Sequence, residues 1–341
     1  MKTPLKRHLA ISALLLTAAC GRGGPTAPST PPPATNTHSV QVLVFYDEDG
    51  NGTLDVGETV RVPEVEVEIA GRSVVTSAPG GDGAIDNVPA GEQRVSVRLA
   101  SLPPYYQSNT HPTITVPFPS VAEVPVTLPI GNNMPNRYLA FGDSITEGDS
   151  ATGDFTYRLT LQHLLEDFFG VAEILNSGAG GTTTEEGETR FFSEVIRHDP
   201  AITLIVYGTN DWNACATVEG CFTIDSLRTM IQTARNNSVM PFVATILPSN
   251  TGYDARAPVE RNYWIEDMNV LIRDLVAEEG AVLMDIHAAF VEASDGDFST
   301  LFEDHVHPNP LGYDIMARAM AEAITRQTAS AAGRARRDSR F

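Results

Sequence analysis

Phe141-Gly142-Asp143-Ser144-Ile145-Thr146-Glu147-Gly148 is the stretch on which the reading of the whole chain turns. The run before it, Tyr138-Leu139-Ala140-Phe141, is short and apolar, the pattern of a buried strand. At Gly142 the run stops and a serine enters a turn. A serine at the C-terminal end of a buried strand stands where open α/β sheets bind their ligands. Taken alone, Gly-Asp-Ser fits a helix cap equally well.

Three further stretches, in a set order, shift that balance. Asn176-Ser177-Gly178-Ala179-Gly180-Gly181-Thr182-Thr183 follows the apolar Ala172-Glu173-Ile174-Leu175. Gly208-Thr209-Asn210-Asp211 follows Ile202-Thr203-Leu204-Ile205-Val206-Tyr207. Asp304-His305-Val306-His307-Pro308 lies near the C-terminal end. A nucleophile, two sets of hydrogen-bond donors and an acid–histidine pair are the components of acyl transfer. Together the four blocks resemble the SGNH hydrolases, also called GDSL-type lipases and acylhydrolases, over roughly residues 136–329.

The resemblance implies a role for each block. Ser144 would be the nucleophile and His307, rather than His305, its base. Asp304 would hold the second ring nitrogen of His307 and stabilise the imidazolium. A metal-binding cluster is the rival reading of Asp304-His305-Val306-His307. The oxyanion would be held by the backbone N–H of Ser144, the N–H of Gly181 and the side-chain amide of Asn210. Gly178 and Gly180 stand close enough in sequence to compete with Gly181. Catalysis would need no cofactor. Asp143 is read as positioning the turn. Tyr207, Trp212 and Asn213 lie beside the oxyanion loop and are candidates to line the pocket, although core packing explains Tyr207 equally well.

The remainder of this region alternates strand and helix. Residues 157–169 are apolar at helical spacing, with Gly170 as the stop. Helices are also expected over 185–198, 224–236, 259–279 and 310–326, and strands over 241–246 and 281–286. Alternation of this kind predicts a parallel sheet with helices on both faces. The resemblance implies a five-stranded, flavodoxin-like α/β sheet.

Residues 39–130 read differently. Val40 to Tyr46 is β-branched and aromatic, while Val65 to Ile69 and Arg94 to Leu99 alternate cleanly. Gly, Asp and Pro punctuate them, as in Ala78-Pro79-Gly80-Gly81-Asp82-Gly83. Residues 113–116 and 124–128 supply last strands, and a small all-β sandwich is expected. Val88-Pro89-Ala90-Gly91 followed by an alternating strand resembles the B-type-repeat and carboxypeptidase-regulatory-like domains. Within it, residues 47–58 fit the calcium loop D-x-[DN]-x-[DN]-G-x5-E at every fixed position. Asp47, Asp49, Asn51, the Thr53 carbonyl, Asp55 and Glu58 would supply the oxygens of a structural calcium ion. A polar hairpin tip is the plainer alternative.

The two ends carry no core. Lys2, Lys6 and Arg7 precede the apolar stretch Leu9 to Leu16, which is too short to span a bilayer and reads as a signal peptide over 1–19. Cys20 after Thr17-Ala18-Ala19 resembles a bacterial lipidation site, with Leu16 four places before the cysteine rather than the usual three. Residues 20–38 read as a Pro-rich tether and 330–341 as a basic tail. Cys215 and Cys221 are read as a disulfide pair in an oxidising compartment, two free thiols being the alternative.

Across 341 residues the formal charge of −20 argues against nucleic acid and anionic surfaces as partners. The sequence therefore leads to an exported serine esterase, anchored to the cell envelope through lipid, periplasmic or at the cell surface, or else secreted. Short polar segments leaving the catalytic strands suit a short acyl group and a hydrated leaving group, such as an acetylated glycan. A lipase or lysophospholipase, a glycan acyltransferase, and a non-catalytic adhesin or carbohydrate-binding lipoprotein are the rival readings.

Overall fold

The computed structural model describes residues 36–148, 156–215 and 217–326. The expected signal peptide, Cys20, most of the tether and the basic tail lie outside the described residues.

Seven strands come first: β1 (Thr37–Tyr46), β2 (Glu66–Ile69), β3 (Arg72–Val75), β4 (Asp82–Pro89), β5 (Gly91–Val97), β6 (Thr113–Val116) and β7 (Val121–Val126). They form two sheets, ordered β4-β1-β7 and β3-β2-β5-β6. Val42, Val44, Val67, Val95 and Val124 are buried, so alternating apolar positions of β1, β2, β5 and β7 point inward. Strands β3 and β4 are absent from the sequence reading, which takes 78–83 as punctuation. Asp82 and Gly83 instead open β4, opposite Leu43 and Val42 of β1. Asp, Gly and Ala have little strand preference of their own, and pairing with a buried neighbour supplies it.

The second part alternates as expected: β8 (Met134–Gly142), α1 (Ser144–Glu147), α2 (Tyr157–Phe169), β9 (Glu173–Gly178), α3 (Thr184–His198), β10 (Pro200–Val206), α4 (Thr223–Asn236), β11 (Met240–Ala244), α5 (Val259–Glu279), β12 (Val282–Met284), α6 (Ile286–Ser294) and α7 (Pro310–Thr325). The five strands are all parallel, in the order β9-β8-β10-β11-β12. This is the flavodoxin-like order, whose switch point lies between β8 and β10.

The strand expected over 281–286 stops at Met284, and Ile286 begins α6. Asp285 causes the change. Its carboxylate accepts the Ala288 N–H as a helix cap and is gripped by Arg273 at 2.8 and 3.0 Å.

Both faces of the sheet are covered. Tyr138 and Ala140 of β8 join the core formed with α2 and α7, while Leu139 and Phe141 join the core formed with α3, α4 and α5. A strand buried on both sides reads as a continuous apolar run, which is why β8 is legible in sequence. The core on the α2 and α7 side continues into the β-sandwich. Tyr106 stacks on Phe169 with centroids 6.1 Å apart, and Tyr105 meets Phe242 edge-on and donates to the Pro241 carbonyl at 3.0 Å.

The end of β9 runs directly against α1. A Cβ on Gly178 would lie 2.0 Å from the Glu147 nitrogen and 2.4 Å from its Cα, both backbone atoms. Gly178→Ala is therefore expected to push α1 away from β9, lowering stability by roughly 1–3 kcal/mol. Because α1 begins at Ser144, activity should fall as well. Thermal unfolding and ester hydrolysis of the purified variant test this, and a melting temperature equal to that of the unaltered protein would refute it.

Candidate active site

Ser144 is the first residue of α1, immediately beyond β8. Asp143 caps the helix, its Oδ1 accepting the Ile145 N–H at 2.9 Å. The serine thus stands at the C-terminal edge of the sheet, beside the switch point.

His307 reaches it from a distant loop. Ser144 Oγ lies 2.8 Å from His307 Nε2, and His307 Nδ1 lies 2.8 Å from Asp304 Oδ2. The other carboxylate oxygen of Asp304 accepts the backbone N–H groups of Val306 and His307 at 2.8 and 2.7 Å. Burial works to raise the Asp304 pKa, but these N–H groups and the His307 ring outweigh it and hold the carboxyl down at about 2. The loop is closed on itself: Glu303 N–H donates to the His307 carbonyl, and Asn309 N–H to Leu301. Asn309 then caps α7, with Pro310 in its first turn.

His305 points elsewhere. Its Nδ1 is 3.7 Å from Asp304 Oδ1 and makes no hydrogen bond, while its carbonyl accepts the Asn250 N–H. Asn250 belongs to the segment 247–258, between β11 and α5. Ser249 and Asn250 are buried, and the segment packs against the Asp304–His307 loop.

The two remaining blocks are tied to each other. Asn210 Nδ2 donates to the Thr182 carbonyl at 2.9 Å. Thr182 Oγ1 in turn meets Tyr207 Oη at 3.1 Å. A Cβ on Gly180 would come within 3.9 Å of the Ser144 Cβ, whereas Gly181, at φ +74°, faces open space. Gly181 thus holds a left-handed turn that suits glycine, and Gly180 is the glycine beside the serine side chain.

Three residues that the sequence reading passes over hold these loops. Asp211 is fully buried and accepts from the Thr184 N–H at 2.9 Å, from Thr184 Oγ1, and from Thr223 Oγ1 at 2.6 Å. It joins the loop after β10 to the first turns of α3 and α4. Arg190 donates to the carbonyls of Gly142 and Ser177 at 2.9 and 2.8 Å and to Tyr207 Oη at 2.7 Å, with its guanidinium 4.1 Å from the Phe141 ring centre. Arg261, on α5, is buried and donates to the Thr209 carbonyl at 2.7 Å. One signal for Arg261 is present in the sequence: it shares a helical stripe with Trp264, Ile265 and Met268, where an apolar residue is the norm.

Trp212 is half-buried, packs edge-on against Trp264 at 6.1 Å, and lines with it a groove of about 600 Å³ along α5. The Cys215 and Cys221 sulfurs lie 2.00 Å apart and close the short loop after Trp212.

In the β-sandwich, oxygens of Asp47, Asp49 and Glu58 converge within 4.8 Å of one another. Asp47 accepts the N–H groups of Gly50 and Gly52, and Glu58 those of Glu48 and Asp55, so the loop already curls around the carboxylates. Burial, with Glu48, Asp47 and Glu58 nearby, pushes the neighbouring Tyr46 hydroxyl up to about 12. An all-oxygen, strongly negative donor set fits a hard cation. Asn51 is turned differently from the expectation: its Nδ2 donates to Asp49 and Asp55, and its Oδ1 accepts the Thr53 N–H.

Residues 140–315 match the GDSL-like lipase/acylhydrolase family. The chain is 28% identical over 180 residues to the uncharacterized lipoprotein YqeF of Bacillus subtilis, covering 46% of this chain and 73% of that protein. Among solved structures it is similar to Axe2, an acetylxylan esterase from Geobacillus stearothermophilus, at 20% identity and a TM-score of 0.47, covering 57% of this chain and 98% of that one. It is also similar to a member of the lipolytic protein G-D-S-L family from Veillonella parvula, at 21% identity and a TM-score of 0.47, covering 56% of this chain and 99% of that one.

Asp143 supplies a pH test of this geometry. Its Oδ2 is buried without a partner, and burial raises its pKa to about 7 despite the Ile145 N–H and nearby His307. A carboxyl raised in the folded state above its ordinary 3.8 binds more protons folded than unfolded, so folding loses stability as pH climbs between those values. Asn at this position cannot ionise. The melting temperature of Asp143→Asn relative to the unaltered protein should therefore be higher at pH 8 than at pH 4. A difference independent of pH would show that Asp143 does not titrate in this window.

Proposed function

The chain belongs to the GDSL-like lipase/acylhydrolase family and carries its carboxylic-ester hydrolase domain, and we propose that it is an exported serine esterase acting through Ser144, His307 and Asp304. The observation that carries this reading is the unbroken relay of two 2.8 Å contacts from Ser144 Oγ through the His307 ring to Asp304.

In this mechanism Ser144 Oγ attacks the ester carbonyl carbon and passes its proton to His307 Nε2. The ionised Asp304 holds the imidazolium through Nδ1. The carbonyl oxygen becomes an oxyanion, received by the Ser144 N–H, the N–H of Gly181 or its neighbour Gly180, and the Asn210 amide. The intermediate collapses, and His307 returns the proton to the departing alcohol. Water then attacks the acyl-serine, giving a proton to His307, which passes it to Ser144 Oγ as the acyl bond breaks and the carboxylic acid leaves. No step requires a metal or an organic cofactor.

We further propose that the preferred acyl group is short and the leaving group hydrated, an acetylated glycan being the substrate class. The rims of the site support this. Glu147 lies beside Gly180 and Thr182 beside Asn210, and the segment 247–258, which packs against the Asp304–His307 loop, carries Ser249, Asn250, Thr251, Asp254 and Arg256. Export and a lipid anchor at Cys20 are supported by the basic and apolar leader sequence, and by the name of the Bacillus subtilis relative, which is called a lipoprotein. Among the described residues no helix is long and apolar enough to cross a membrane. In an oxidising compartment the Cys215–Cys221 pair would stiffen the loop after Trp212.

One series of assays tests the catalytic reading. Ser144→Ala and His307→Ala should each lose roughly a thousand-fold or more of esterase activity, by similar factors because the two act as a unit, with little change in melting temperature. Across p-nitrophenyl esters from acetate to palmitate, kcat/KM should be highest at acetate to butyrate. A built acyl groove would add about 0.8 kcal/mol per buried methylene, so a maximum at octanoate or beyond would favour a lipase instead. Retention of most activity by either variant would remove the triad.

For the β-sandwich we propose a structural calcium ion held by Asp47, Asp49 and Glu58, with Asn51, the Thr53 carbonyl and Asp55 completing the shell once Asn51 turns its oxygen inward. An ion that binds the folded state adds stability by mass action. Chelation should therefore lower the melting temperature of the full-length protein, and added calcium should restore it. Absence of any shift, together with no heat of calcium binding in calorimetry, would leave residues 47–58 as a polar hairpin tip.

A further inference from the structure

Arg261 is a buried cation with no carboxylate within ion-pair distance among the described residues. It lies 1% exposed on the inner face of α5, and its Nε has no hydrogen-bond partner. Taking a guanidinium out of water is unfavourable unless its charge and N–H groups are matched. An apolar side chain, like its stripe-mates Trp264, Ile265 and Met268, would serve the core better. Burial accordingly lowers its pKa to about 10, with Asp304 and Asp143 the nearby charges that oppose this.

What Arg261 does make are two charge-assisted bonds to backbone carbonyls on two different loops. Nη2 donates to Thr209 at 2.7 Å and Nη1 to Arg256 at 3.2 Å. Thr209 immediately precedes Asn210. Arg256 lies in the segment whose Asn250 bonds the backbone of His305 and of Asp304. A single guanidinium therefore bridges the loop that carries the oxyanion donor and the segment that backs the acid–histidine loop.

We propose that Arg261 is a positioning residue that sets the register of Asn210 against the Ser144–His307 pair by clamping these two loops. The proposal rests on the ester-hydrolase reading above. The role follows from geometry. The fork of the guanidinium spans two acceptors at once, whereas an ammonium is a single point donor. The interaction touches neither ester nor leaving group, so ground-state binding should be nearly indifferent to it. A donor that stabilises charge only in the transition state loses effect when displaced by as little as 1 Å, at about a hundred-fold in rate.

The test uses the full-length protein with p-nitrophenyl acetate, measuring kcat and KM separately together with the melting temperature. Arg261→Ala should lower kcat about 10- to 100-fold while KM moves less than about threefold, the signature of an interaction realised in the transition state. Guanidinium at millimolar concentration should restore part of that kcat and leave the unaltered enzyme unaffected. Arg261→Lys, which keeps the charge but loses the fork, should fold and fall between the two. Should Arg261→Ala fail to fold, the lysine variant decides: a lowered kcat at unchanged KM supports the clamp, and an unaltered kcat overturns it. A folded alanine variant with unaltered kcat, with a loss shared by kcat and KM, or without guanidinium rescue also overturns it. Absence of esterase activity in the unaltered protein, by contrast, overturns the reading of the site itself and this role with it.

Discussion

From Tyr138 onward strand β8 has no face toward solvent, and that constraint organises everything else. Tyr138 and Ala140 fill one core, Leu139 and Phe141 the other. The chain can leave this double burial only at the end of the strand, where Gly142 and Asp143 turn it sharply and expose Ser144 at the start of α1. Close packing of Gly178 against the backbone of Glu147 then fixes where that helix sits. A side chain placed this way owes its position to backbone packing, the least compliant part of a protein interior.

The loops around Ser144 are polar and short of apolar contacts, so they need another source of order. Buried polar groups supply it. Asp211 joins its loop to two helix starts, and Arg190 gathers the ends of β8 and β9 with Tyr207. Arg261 ties the Thr209 carbonyl to the segment behind His305. Each such group must be satisfied or it destabilises the fold. The Nε atoms of Arg190 and Arg261 stay buried and unpartnered, and so does one carboxylate oxygen of Asp143. The place of Asp143 beside Ser144 agrees with the tendency of strained and perturbed groups to collect at functional sites.

The β-sandwich is more than a neighbour in sequence. Tyr105 and Tyr106 carry its core into that of the parallel sheet, through contacts with Phe242, Pro241 and Phe169. Stabilising the 47–58 loop with a cation would therefore act on a body continuous with the catalytic sheet.

Local signals in the sequence determined the strand–helix alternation, the bounds of α2 and α5, and the chemical identity of the four blocks. Those signals are periodicity, Gly stops and short polar motifs at strand ends, all of which act over a few residues. Other features were legible only in three dimensions. Strand β4 exists because β1 pairs with it, despite Asp82 and Gly83, and α6 begins where Asp285 caps it under the grip of Arg273. The 2.8 Å approach of His307 to Ser144 joins residues 163 positions apart. The roles of Asp211, Arg190 and Arg261 depend on carbonyls and hydroxyls supplied by distant elements. A sequence displays which donors and acceptors a chain owns, but burial decides which of them must find one another, and burial is a property of the packed sheet and its helices.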